Sequence, residues 1–470
     1  MRKRWAGSCF RGASLMRLAI IRQRYAPEGG AERLFESALE ALLERNVAIS
    51  LYTRSWPQTK LQLIEPVICN PWFAGALWRD WGFARSVCRV IGEARANLVE
   101  SHERLLCCDV YRAHDGVHAV WQAERRKGAS LLGRLRLALS PYNLYVARVE
   151  RKLYASPWLQ TVICNSKMVK DEIRDRFGLP ESKLAVIYNA VDSDYFHPQL
   201  RAGRADFLGQ HGIDAGATVF LLAGGGYEHS GAGAAIEALS ELPPPAHLVI
   251  AGRGRHAERY RELARRLGVS GRVTIAQAET DLRSCYGAAD AFVLPTLYDP
   301  APESTFEAMA CGLPVVTSTK SGAAELLLAH DGGLVCPAGD VAGLAAQMRT
   351  LLDPATRNRL GANARRAVLP LTPAAMTLQL VLLYRDLLAA TVQAKTAKRA
   401  GPDAAPVAEA PSSTASGNAD AAPARDDTST VDVADTPAEA AAEEPLPQPV
   451  GDPPAPPVPA GEAPAGKPSD

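Results

Sequence analysis

The chain has 470 residues, of which 47% are hydrophobic and 22% charged, and its formal net charge is +1. This length is too great for one ordinary domain and comfortable for two. The nine cysteines show no paired spacing typical of a metal site, so we expect small buried side chains in a reduced protein. No apolar run approaches the roughly 18 residues that a membrane span needs.

The near-zero net charge conceals an asymmetry between the two ends of the chain. Residues 401–470 contain thirteen acidic and two basic residues, so the first 400 residues carry a charge of +12. A basic body with an acidic tail is compatible with an anionic membrane surface or a phosphorylated substrate, and equally with plain solubility.

The first predicted strand begins at Met16. Residues 1–15 have no periodicity and lack the apolar core of a signal peptide, so we interpret them as a disordered extension or a mis-assigned start. Residues 17–21 have a strand pattern, and Gly29 and Gly30 precede the helix that follows. Two glycines between a strand and a helix let the backbone approach a ligand closely, although a tight turn alone would also favour them.

A second strand is predicted at residues 47–52 and a helix at residues 82–95. The strand pattern at residues 108–111 is followed by a polar block that contains two histidines and Asp115. Two histidines alone are more often surface residues, but polar side chains directly after a strand indicate a site. We therefore treat Asp115 as a candidate catalytic residue.

Residues 125–152 are rich in cations that alternate with leucines and tyrosines. The cations are Arg125, Arg126, Lys127, Arg134, Arg136, Arg148, Arg151 and Lys152. A basic amphipathic segment is typical of a membrane surface, whereas a solvated basic helix face has the same composition. The sequence leaves both interpretations open.

Strands are predicted at residues 159–164 and 184–188, with a helix between them that Asn165 and Ser166 cap. A second domain then begins near residue 200. Its first strand, residues 219–223, leads into a glycine-rich turn at residues 224–231 and a helix. Such a turn can bind a dinucleotide, but no acidic residue ends the next strand, where that kind of site requires one.

The most informative stretch spans residues 291–328. A buried-strand pattern ends at Pro295, an irregular segment follows, and Ser304 or Thr305 is expected to cap a short apolar helix. Gly312 is expected to end this helix in a left-handed conformation, before a strand at residues 315–317. Open parallel sheets bind ligands at the carboxyl ends of their strands, and a helix start at that edge suits a phosphate.

Two carboxylates, Asp299 and Glu307, bracket this loop. A loop aspartate and a solvated helix glutamate would explain an unrelated pair. Here, however, Glu307 falls in an apolar helix that should be buried, and a buried carboxylate is costly unless a polar group meets it. A ribose diol is a suitable partner because one carboxylate can accept two hydroxyl hydrogen bonds.

This stretch resembles the donor-site signature of retaining glycosyltransferase family 4, whose members have the GT-B fold. The matching features are an acidic residue, seven intervening residues, Glu307, the run AMACGLPVV and a Gly-x-x-Glu motif that ends at Glu325. The family usually has glutamate where Asp299 stands, so the charge is kept with a shorter reach. The first strand-loop-helix and the polar block at residues 112–118 resemble the lipopolysaccharide core glucosyltransferase I subgroup.

The resemblance implies roles for individual residues. Glu307 would hold the nucleotide ribose, Asp299 would hold the donor-sugar hydroxyls, and Asp115 would lie near the reacting sugar. The remaining donor-binding residues would be Gly29, Gly30, Gly224, His229, Ser230, Glu303, Ser304 and Thr305. In the family's proposed front-face mechanism the leaving phosphate helps to deprotonate the acceptor, so no dedicated general base is expected.

One departure from the family concerns the charge at the leaving group. Related enzymes carry Arg-Lys just before the last glycine of the turn, whereas this chain has His229 and Ser230. Two fixed cations are replaced by a titratable imidazole and a hydroxyl, although electrostatic stabilisation is usually a large catalytic term. A nucleotide-sugar-binding protein with little turnover is therefore an alternative. A nicotinamide-dependent oxidoreductase is a third reading, opposed by the missing acidic partner.

We therefore predict an α/β protein of the GT-B fold, with two Rossmann-like domains, residues 16–198 and 199–371, facing each other across a cleft. Residues 372–394 would form a helix that returns to the first domain, and residues 395–470, which lack aromatic side chains, a disordered tail.

The predicted activity is retaining transfer of a hexose from a nucleotide sugar, taken as a UDP-hexose, to a glycan or glycolipid. The acceptor would belong to lipopolysaccharide core or another surface polysaccharide. We expect no metal, no cofactor beyond the donor substrate and no nucleic-acid partner. The expected location is cytoplasmic, peripheral on the inner face of the cytoplasmic membrane.

Overall fold

The computed structural model describes residues 16–24, 30–45, 47–56, 64, 66–92, 96–252, 256–276 and 282–400. Within these ranges the chain forms two sheets of parallel strands connected by helices, so the predicted α/β architecture of two Rossmann-like domains is confirmed. The predictions for residues 1–15, for Gly29 and for residues 401–470 lie outside the described residues.

The first domain is built on seven parallel strands. They are β1 (Met16–Ile21), β2 (Val47–Thr53), β3 (Pro66–Ile68), β4 (Leu98–Ser101), β5 (Val110–Arg112), β6 (Thr161–Cys164) and β7 (Leu184–Val186). Its helices are α1 (Gly30–Glu44), α2 (Gly75–Ile91), α3 (His118–Lys127), α4 (Leu131–Leu139), α5 (Pro141–Tyr154) and α6 (Lys167–Phe177). The strand order is β3-β2-β1-β4-β5-β6-β7. Successive strands are added on one side of β1 up to β3, and from β4 onward they are added on its other side. The connections that leave β1 and β4 diverge, and this opens a crevice at the carboxyl edge.

The second domain is built on six parallel strands. They are β8 (Thr218–Ala223), β9 (Ala246–Ala251), β10 (Val273–Ala276), β11 (Ala291–Leu294), β12 (Val315–Ser318) and β13 (Gly333–Cys336). Its helices are α7 (Arg204–His211), α8 (Ala232–Ser240), α9 (Ala257–Arg266), α10 (Leu282–Ala288), α11 (Glu303–Ala310), α12 (Ala324–Ala329), α13 (Val341–Thr350) and α14 (Pro354–Val368). The order β10-β9-β8-β11-β12-β13 reverses between β8 and β11. The glycine-rich turn and the Asp299 loop leave these two strands, so the fold brings them to one crevice.

The last helix, α15 (Pro373–Ala400), packs on the first domain. Leu380 and Tyr384 are buried in the same apolar cluster as Leu18 of β1, and the Tyr384 hydroxyl donates a hydrogen bond to the buried carboxylate of Glu100. The helix extends past the predicted boundary at residue 394, because its last residues are mostly the good helix formers Ala, Lys, Gln and Arg.

The expectation that no segment has the hydropathy of a membrane span needs correction. The segment Pro354–Thr391 meets the length and composition of a span, with a mean hydropathy of 1.6 over a window of which 39% is buried. The segment consists of two helices that are interrupted at residues 369–372. Several of its apolar side chains, including Met376 and Val381, lie in the core of the first domain, and core helices pass the same test.

The prediction of nine unpaired cysteines is wrong for two of them. Cys88 of α2 and Cys107 form a disulfide, with their Cα atoms 5.6 Å apart. The six other cysteines that the structure describes, Cys69, Cys108, Cys164, Cys285, Cys311 and Cys336, are free and buried. The sequence spacing of the bonded pair gave no signal, because the two residues meet only through the packing of α2 against the connection that leads to β5.

Candidate active site

The two loops that leave β8 and β11 are locked together by a glycine. Gly231 has a φ of +79°, and a Cβ atom there would lie 2.5 Å from the carbonyl oxygen of Pro295. Only glycine fits this combination of backbone conformation and close approach. The Thr296 hydroxyl also donates a 3.0 Å hydrogen bond to the His229 carbonyl. The glycine-rich turn and the Asp299 loop therefore form one continuous surface.

The N-cap of the helix that carries Glu307 lies two or three residues before the predicted one. Pro302 is the N-cap of α11, and its carbonyl oxygen accepts a 3.0 Å hydrogen bond from the Thr305 amide. Ser304 and Thr305 therefore lie inside the first turn, and the prediction that one of them caps the helix is wrong. The prediction for Gly312 is confirmed, since its φ is +76° at the end of the helix.

The first turn of α11 is suited to bind an anion. The first amide groups of a helix have no intrahelical partner, and the helix dipole adds positive potential. The Thr305 hydroxyl oxygen is buried and has no hydrogen-bond partner among the described residues. Glu303 and Ser304 are half-buried in the same turn. This turn can therefore supply hydrogen-bond donors to a phosphate.

Glu307 is held in place by a tyrosine of the preceding helix. The hydroxyl of Tyr286, on α10, donates a hydrogen bond of 2.8 Å to Glu307 Oε2 and also lies 3.1 Å from the Ser304 carbonyl oxygen. Burial, followed by the neighbouring carboxylate of Glu307, raises the pKa of Tyr286 well above its ordinary value. The hydroxyl thus keeps its proton and fixes the orientation of the carboxylate before any ligand arrives.

Asp299 lies against His229, the residue that stands in place of the family's arginine. The His229 Nε2 atom is 3.6 Å from Asp299 Oδ2, and this carboxylate raises the pKa of the imidazole above its ordinary value. Ser230 behaves differently: its side chain is buried, and its Oγ would lie 2.5 Å from a Cβ atom at Gly224. Its hydroxyl is thus packed against the turn at Gly224.

Asp115 approaches the same place from the first domain. It lies between β5 and α3, with its carboxylate 3.3 Å from His114 Nε2 and 3.5 Å from Arg104 Nη1. The imidazole of His114, and then the guanidinium of Arg104, hold the pKa of Asp115 below its ordinary value. Asp115 also contributes to the raised pKa of His229. The structure thus brings Asp115 near the Asp299–His229 pair across the cleft.

The loop of Asp299 is also anchored in the first domain. The Tyr298 hydroxyl accepts a 2.8 Å hydrogen bond from the Val117 amide and donates one of 2.8 Å to Glu172. Lys320 Nζ lies 3.0 Å from the other oxygen of Glu172. A Cβ atom at Gly116 would lie 2.1 Å from the Tyr298 hydroxyl oxygen, so the approach requires glycine there. The sequence analysis missed these residues because their partners lie far away along the chain.

The carboxylate of the Gly-x-x-Glu motif serves the domain interface. Glu325 accepts hydrogen bonds of 2.8 and 3.0 Å from the Lys167 and Met168 amides at the start of α6, and one of 2.5 Å from the Tyr188 hydroxyl. It therefore joins the second domain to the first.

Gly30, the remaining described candidate, begins α1 at the carboxyl edge of the first sheet. In the part of the chain that the structure describes, no group of three or more His, Cys, Asp or Glu side chains could hold a metal ion. The polar groups that the crevice presents are carboxylates, an imidazole and helix-end amides.

Two family models match the chain, one on each domain. The model described as Glycosyltransferase Family 4 matches residues 28–195, and the model described as Glycosyl transferases group 1 matches residues 204–367. Together they cover more than half of the chain.

Two curated relatives are similar to this chain in sequence. Glycogen synthase of Mycobacterium tuberculosis is 32% identical over 210 residues, a match that covers 44% of this chain and 48% of that protein. The chain thus spans about half the length of this relative. The lipopolysaccharide core biosynthesis glycosyltransferase LpsE of Rhizobium meliloti is 26% identical over 354 residues, which cover 73% of this chain and 92% of LpsE.

Solved structures show the same fold. The crystal structure of WaaG, a glycosyltransferase involved in lipopolysaccharide biosynthesis, matches with a TM-score of 0.65 at 21% identity and covers 77% of this chain and 98% of that one. Anabaena Alr3699/HepE in complex with UDP and glucose matches with a TM-score of 0.59 at 20% identity, covering 79% of this chain and all of that one. Both likenesses concern the fold, which is GT-B.

Proposed function

Since this chain belongs to the glycosyltransferases, with a family 4 domain followed by a group 1 domain in one GT-B fold, we propose that it transfers a hexose from a nucleotide-diphosphate sugar to a glycan with retention at the anomeric carbon. The observation that carries the proposal is the orientation of Glu307 by Tyr286 beside the first turn of α11. A fixed carboxylate next to the first turn of a helix suits a ribose diol joined to a diphosphate.

Each polar group of the crevice then has a part in binding. Glu307 accepts hydrogen bonds from the ribose hydroxyls, and the first turn of α11 binds the diphosphate. Asp299 accepts hydrogen bonds from the transferred sugar, while Asp115 lies near the reacting carbon on the opposite wall. UDP, the nucleotide bound in the HepE structure, is the first donor nucleotide to test.

The proposed reaction uses the donor itself as its base. The bond between the anomeric carbon and the phosphate oxygen breaks, and the acceptor oxygen forms a bond on the same face of the sugar. The acceptor proton passes to the departing phosphate, which leaves as a nucleoside diphosphate. Amides and cations that meet this developing negative charge stabilise the transition state. Neither a metal nor a resident cofactor has a part in this scheme.

The direct test is donor binding followed by turnover. Calorimetry of the full chain against UDP-glucose, UDP-galactose, GDP-mannose and NAD should give binding of one nucleotide sugar and none of NAD. Incubation with that sugar and a panel of lipopolysaccharide core and polysaccharide fragments should then release the nucleoside diphosphate. Binding of NAD in preference to every nucleotide sugar would contradict the proposal.

A binding protein with little turnover is the second candidate, and Ser230 is the observation that favours it. The family's lysine is replaced by a serine that is 2% exposed and packed against Gly224. A fixed cation is therefore lost from the diphosphate site. Donor binding without transfer to any acceptor in the panel would support this candidate over the transferase.

We base the proposed acceptor on a relative and the proposed location on the outer surface of the first domain. The relative LpsE acts in lipopolysaccharide core biosynthesis, as its name states, and we propose an acceptor of this class, a growing surface glycan on a lipid. Helix α4 has no buried residue, and its Leu131, Leu132 and Leu139 are 83%, 70% and 65% exposed. A leucine-rich helix with no buried residue is unfavourable in water and favourable at a lipid interface.

The cations on and near α4 indicate the kind of lipid surface that this helix would bind. Arg134 and Arg136 lie among the leucines of α4, and Arg126 and Lys127 end the preceding helix. Cations beside an apolar helix face complement an anionic headgroup layer. We therefore propose that the protein is cytoplasmic and binds the inner face of the cytoplasmic membrane through α4.

Vesicle sedimentation tests the membrane proposal. Leu132→Asp combined with Leu135→Asp should abolish binding to vesicles that contain anionic lipid, and binding of the unaltered protein should fall in high salt. The same change at the exposed Leu328 and Leu382, which lie away from α4 in the chain, is the matched control. Equal binding of both double variants, or equal binding to neutral and anionic lipid, would contradict the proposal.

A further inference from the structure

A cavity of about 520 Å³ lies between α3 of the first domain and the glycine-rich turn of the second. Gly225, Gly226 and His229 line one side, Trp121 and Arg125 another, and Arg259 a third. The cavity adjoins the glycine-rich turn, which the resemblance places beside the donor diphosphate, so this inference rests on the proposed function. The cavity brings two arginines from different domains to one ligand position.

The first arginine is preorganised by stacking. Arg125 lies on α3 with its Cζ atom 4.7 Å from the ring centroid of Trp121. Stacking on an indole fixes the plane of a guanidinium and leaves its N–H edges available for an anion. Among the residues that the structure describes, no carboxylate forms an ion pair with Arg125. The stacked guanidinium therefore faces the cavity with its charge unneutralised.

The second arginine differs from its neighbours on the same helix. On α9, Arg261 and Arg265 both pair with Glu258, at 3.3 and 2.7 Å. Arg259 forms no ion pair within the described part of the chain, and it lines the cavity. One carboxylate, Glu228, also lines the cavity, but it pairs with neither arginine in the described ranges.

Arg125 and Arg259 lie beside the glycine-rich turn, which lacks the two cations that related enzymes carry there. The family's Arg-Lys pair is represented by His229, which is engaged with Asp299, and by Ser230, which is buried. We propose that Arg125 and Arg259 bind the donor diphosphate and neutralise the leaving group in place of that pair. Because Arg125 belongs to the first domain, full neutralisation requires the two domains to be closed around the donor.

The test compares the affinity for a nucleoside diphosphate with the affinity for the corresponding uncharged nucleoside. The full chain is first titrated calorimetrically with UDP, GDP and ADP, to find the nucleoside diphosphate that binds most tightly. The affinities for this diphosphate and for the corresponding nucleoside are then measured for Arg125→Ala, Arg259→Ala and the double variant. Each single change should weaken the nucleoside diphosphate about tenfold, the scale of a charge-assisted hydrogen bond, and leave the nucleoside unchanged. The salt dependence of diphosphate binding should also decrease, because fewer cations contact the phosphates.

Matched controls separate this effect from a general loss of charge. Arg176→Ala in the first domain and Arg266→Ala on α9 remove exposed cations and should leave both affinities unchanged. Arg125→Lys and Arg259→Lys should recover part of the diphosphate affinity. A double alanine variant that binds the diphosphate within twofold of the unaltered protein would overturn the inference alone. Absence of any nucleoside diphosphate binding by the unaltered protein would overturn the proposed function and this inference together.

Discussion

The Tyr286 hydroxyl and the Glu307 carboxylate are 2.8 Å apart, and this hydrogen bond fixes the carboxylate in the second turn of the helix that faces the crevice. Tyr286 itself is 1% exposed and packs against Phe196 and Phe292. The orientation of Glu307 is therefore set by the core of the second domain rather than by the ligand. A carboxylate oriented in this way loses little freedom when it binds a diol.

The first prediction concerns this pair. Glu307→Gln should weaken nucleoside diphosphate binding by about 1–3 kcal/mol, because it removes a charge-assisted acceptor. Tyr286→Phe should cost less, about 1 kcal/mol, since the carboxylate remains but is no longer oriented. Calorimetry with the nucleoside diphosphate measures both. An unchanged affinity for Glu307→Gln would remove this residue from the donor site.

The second prediction concerns the anchor of the Asp299 loop. Tyr298→Phe removes both hydrogen bonds that join this loop to Val117 and Glu172. Because Asp299 follows directly, recognition of the sugar should suffer more than recognition of the nucleotide. We expect KM for the nucleotide sugar to rise at least severalfold while the affinity for the free nucleoside diphosphate stays within twofold. Equal losses for both ligands would show that the tyrosine supports the whole domain interface instead.

The third prediction is a pH dependence of donor binding. The Asp299 carboxylate raises the pKa of His229 above its ordinary value of 6.5. The imidazole is positive below the raised value, so donor affinity should fall as the pH rises through it. The nucleotide sugar is the suitable ligand, because a free terminal phosphate itself titrates near pH 6.

Two variants at His229 separate charge from shape in this profile. His229→Gln should lower the affinity at acidic pH and remove the pH dependence. His229→Arg should remove the dependence while keeping the high affinity, since arginine is charged throughout the accessible range. A pH profile that survives unchanged in His229→Gln would assign the titration to another group.

The fourth prediction concerns the attachment of α15 to the first domain. Leu380 is 1% exposed in the core, whereas Leu382, two residues away, is 49% exposed. Leu380→Ala should lower the free energy of unfolding by about 2–5 kcal/mol, and Leu382→Ala by less than about 0.5 kcal/mol. Urea denaturation measures both. Equal small effects would show that α15 contributes little to the stability of the domain.

Local signals in the sequence predicted several elements well. Ser166 caps α6 and its hydroxyl accepts a hydrogen bond from the Val169 amide, as its position before the helix indicated. Pro354 stands at the start of α14, a position that its fixed φ favours. The order of strands and helices likewise follows from apolar runs separated by turn residues. Such features depend on neighbours only a few residues away.

Helix boundaries were less well predicted where they depend on contacts with residues far away in the sequence. The helix expected at residues 82–95 is α2, which begins at Gly75 and ends at Ile91. Residues 125–152, interpreted only as a basic segment, fold into the end of α3 and the whole of α4 and most of α5. The signals for these helices were present, because Ser130 and Ser140 both cap them and Pro141 occupies a first-turn position.

The charged residues of the candidate site were predicted from the sequence, but the residues that hold them in position were not. Asp299 and Asp115 stand out because each follows an apolar strand, and Glu307 because a carboxylate is unexpected in an apolar helix. Tyr286 gave no such signal, because a tyrosine in an apolar helix is equally consistent with simple core packing. The cavity arginines were also missed, since Arg125 was grouped with a basic segment and Arg259 lies on a helix rich in paired charges. Their shared cavity appears only when the two domains are assembled.

The configuration of the transferred sugar tests the central claim most directly. The full chain is incubated with the nucleotide sugar that binds and with the acceptor that releases its nucleoside diphosphate, and the anomeric centre of the product is assigned by NMR. The account predicts that an α-configured donor gives an α-linked product, with one nucleoside diphosphate released for each sugar transferred. A β-linked product, or release of the nucleotide with the sugar passed only to water, would contradict it.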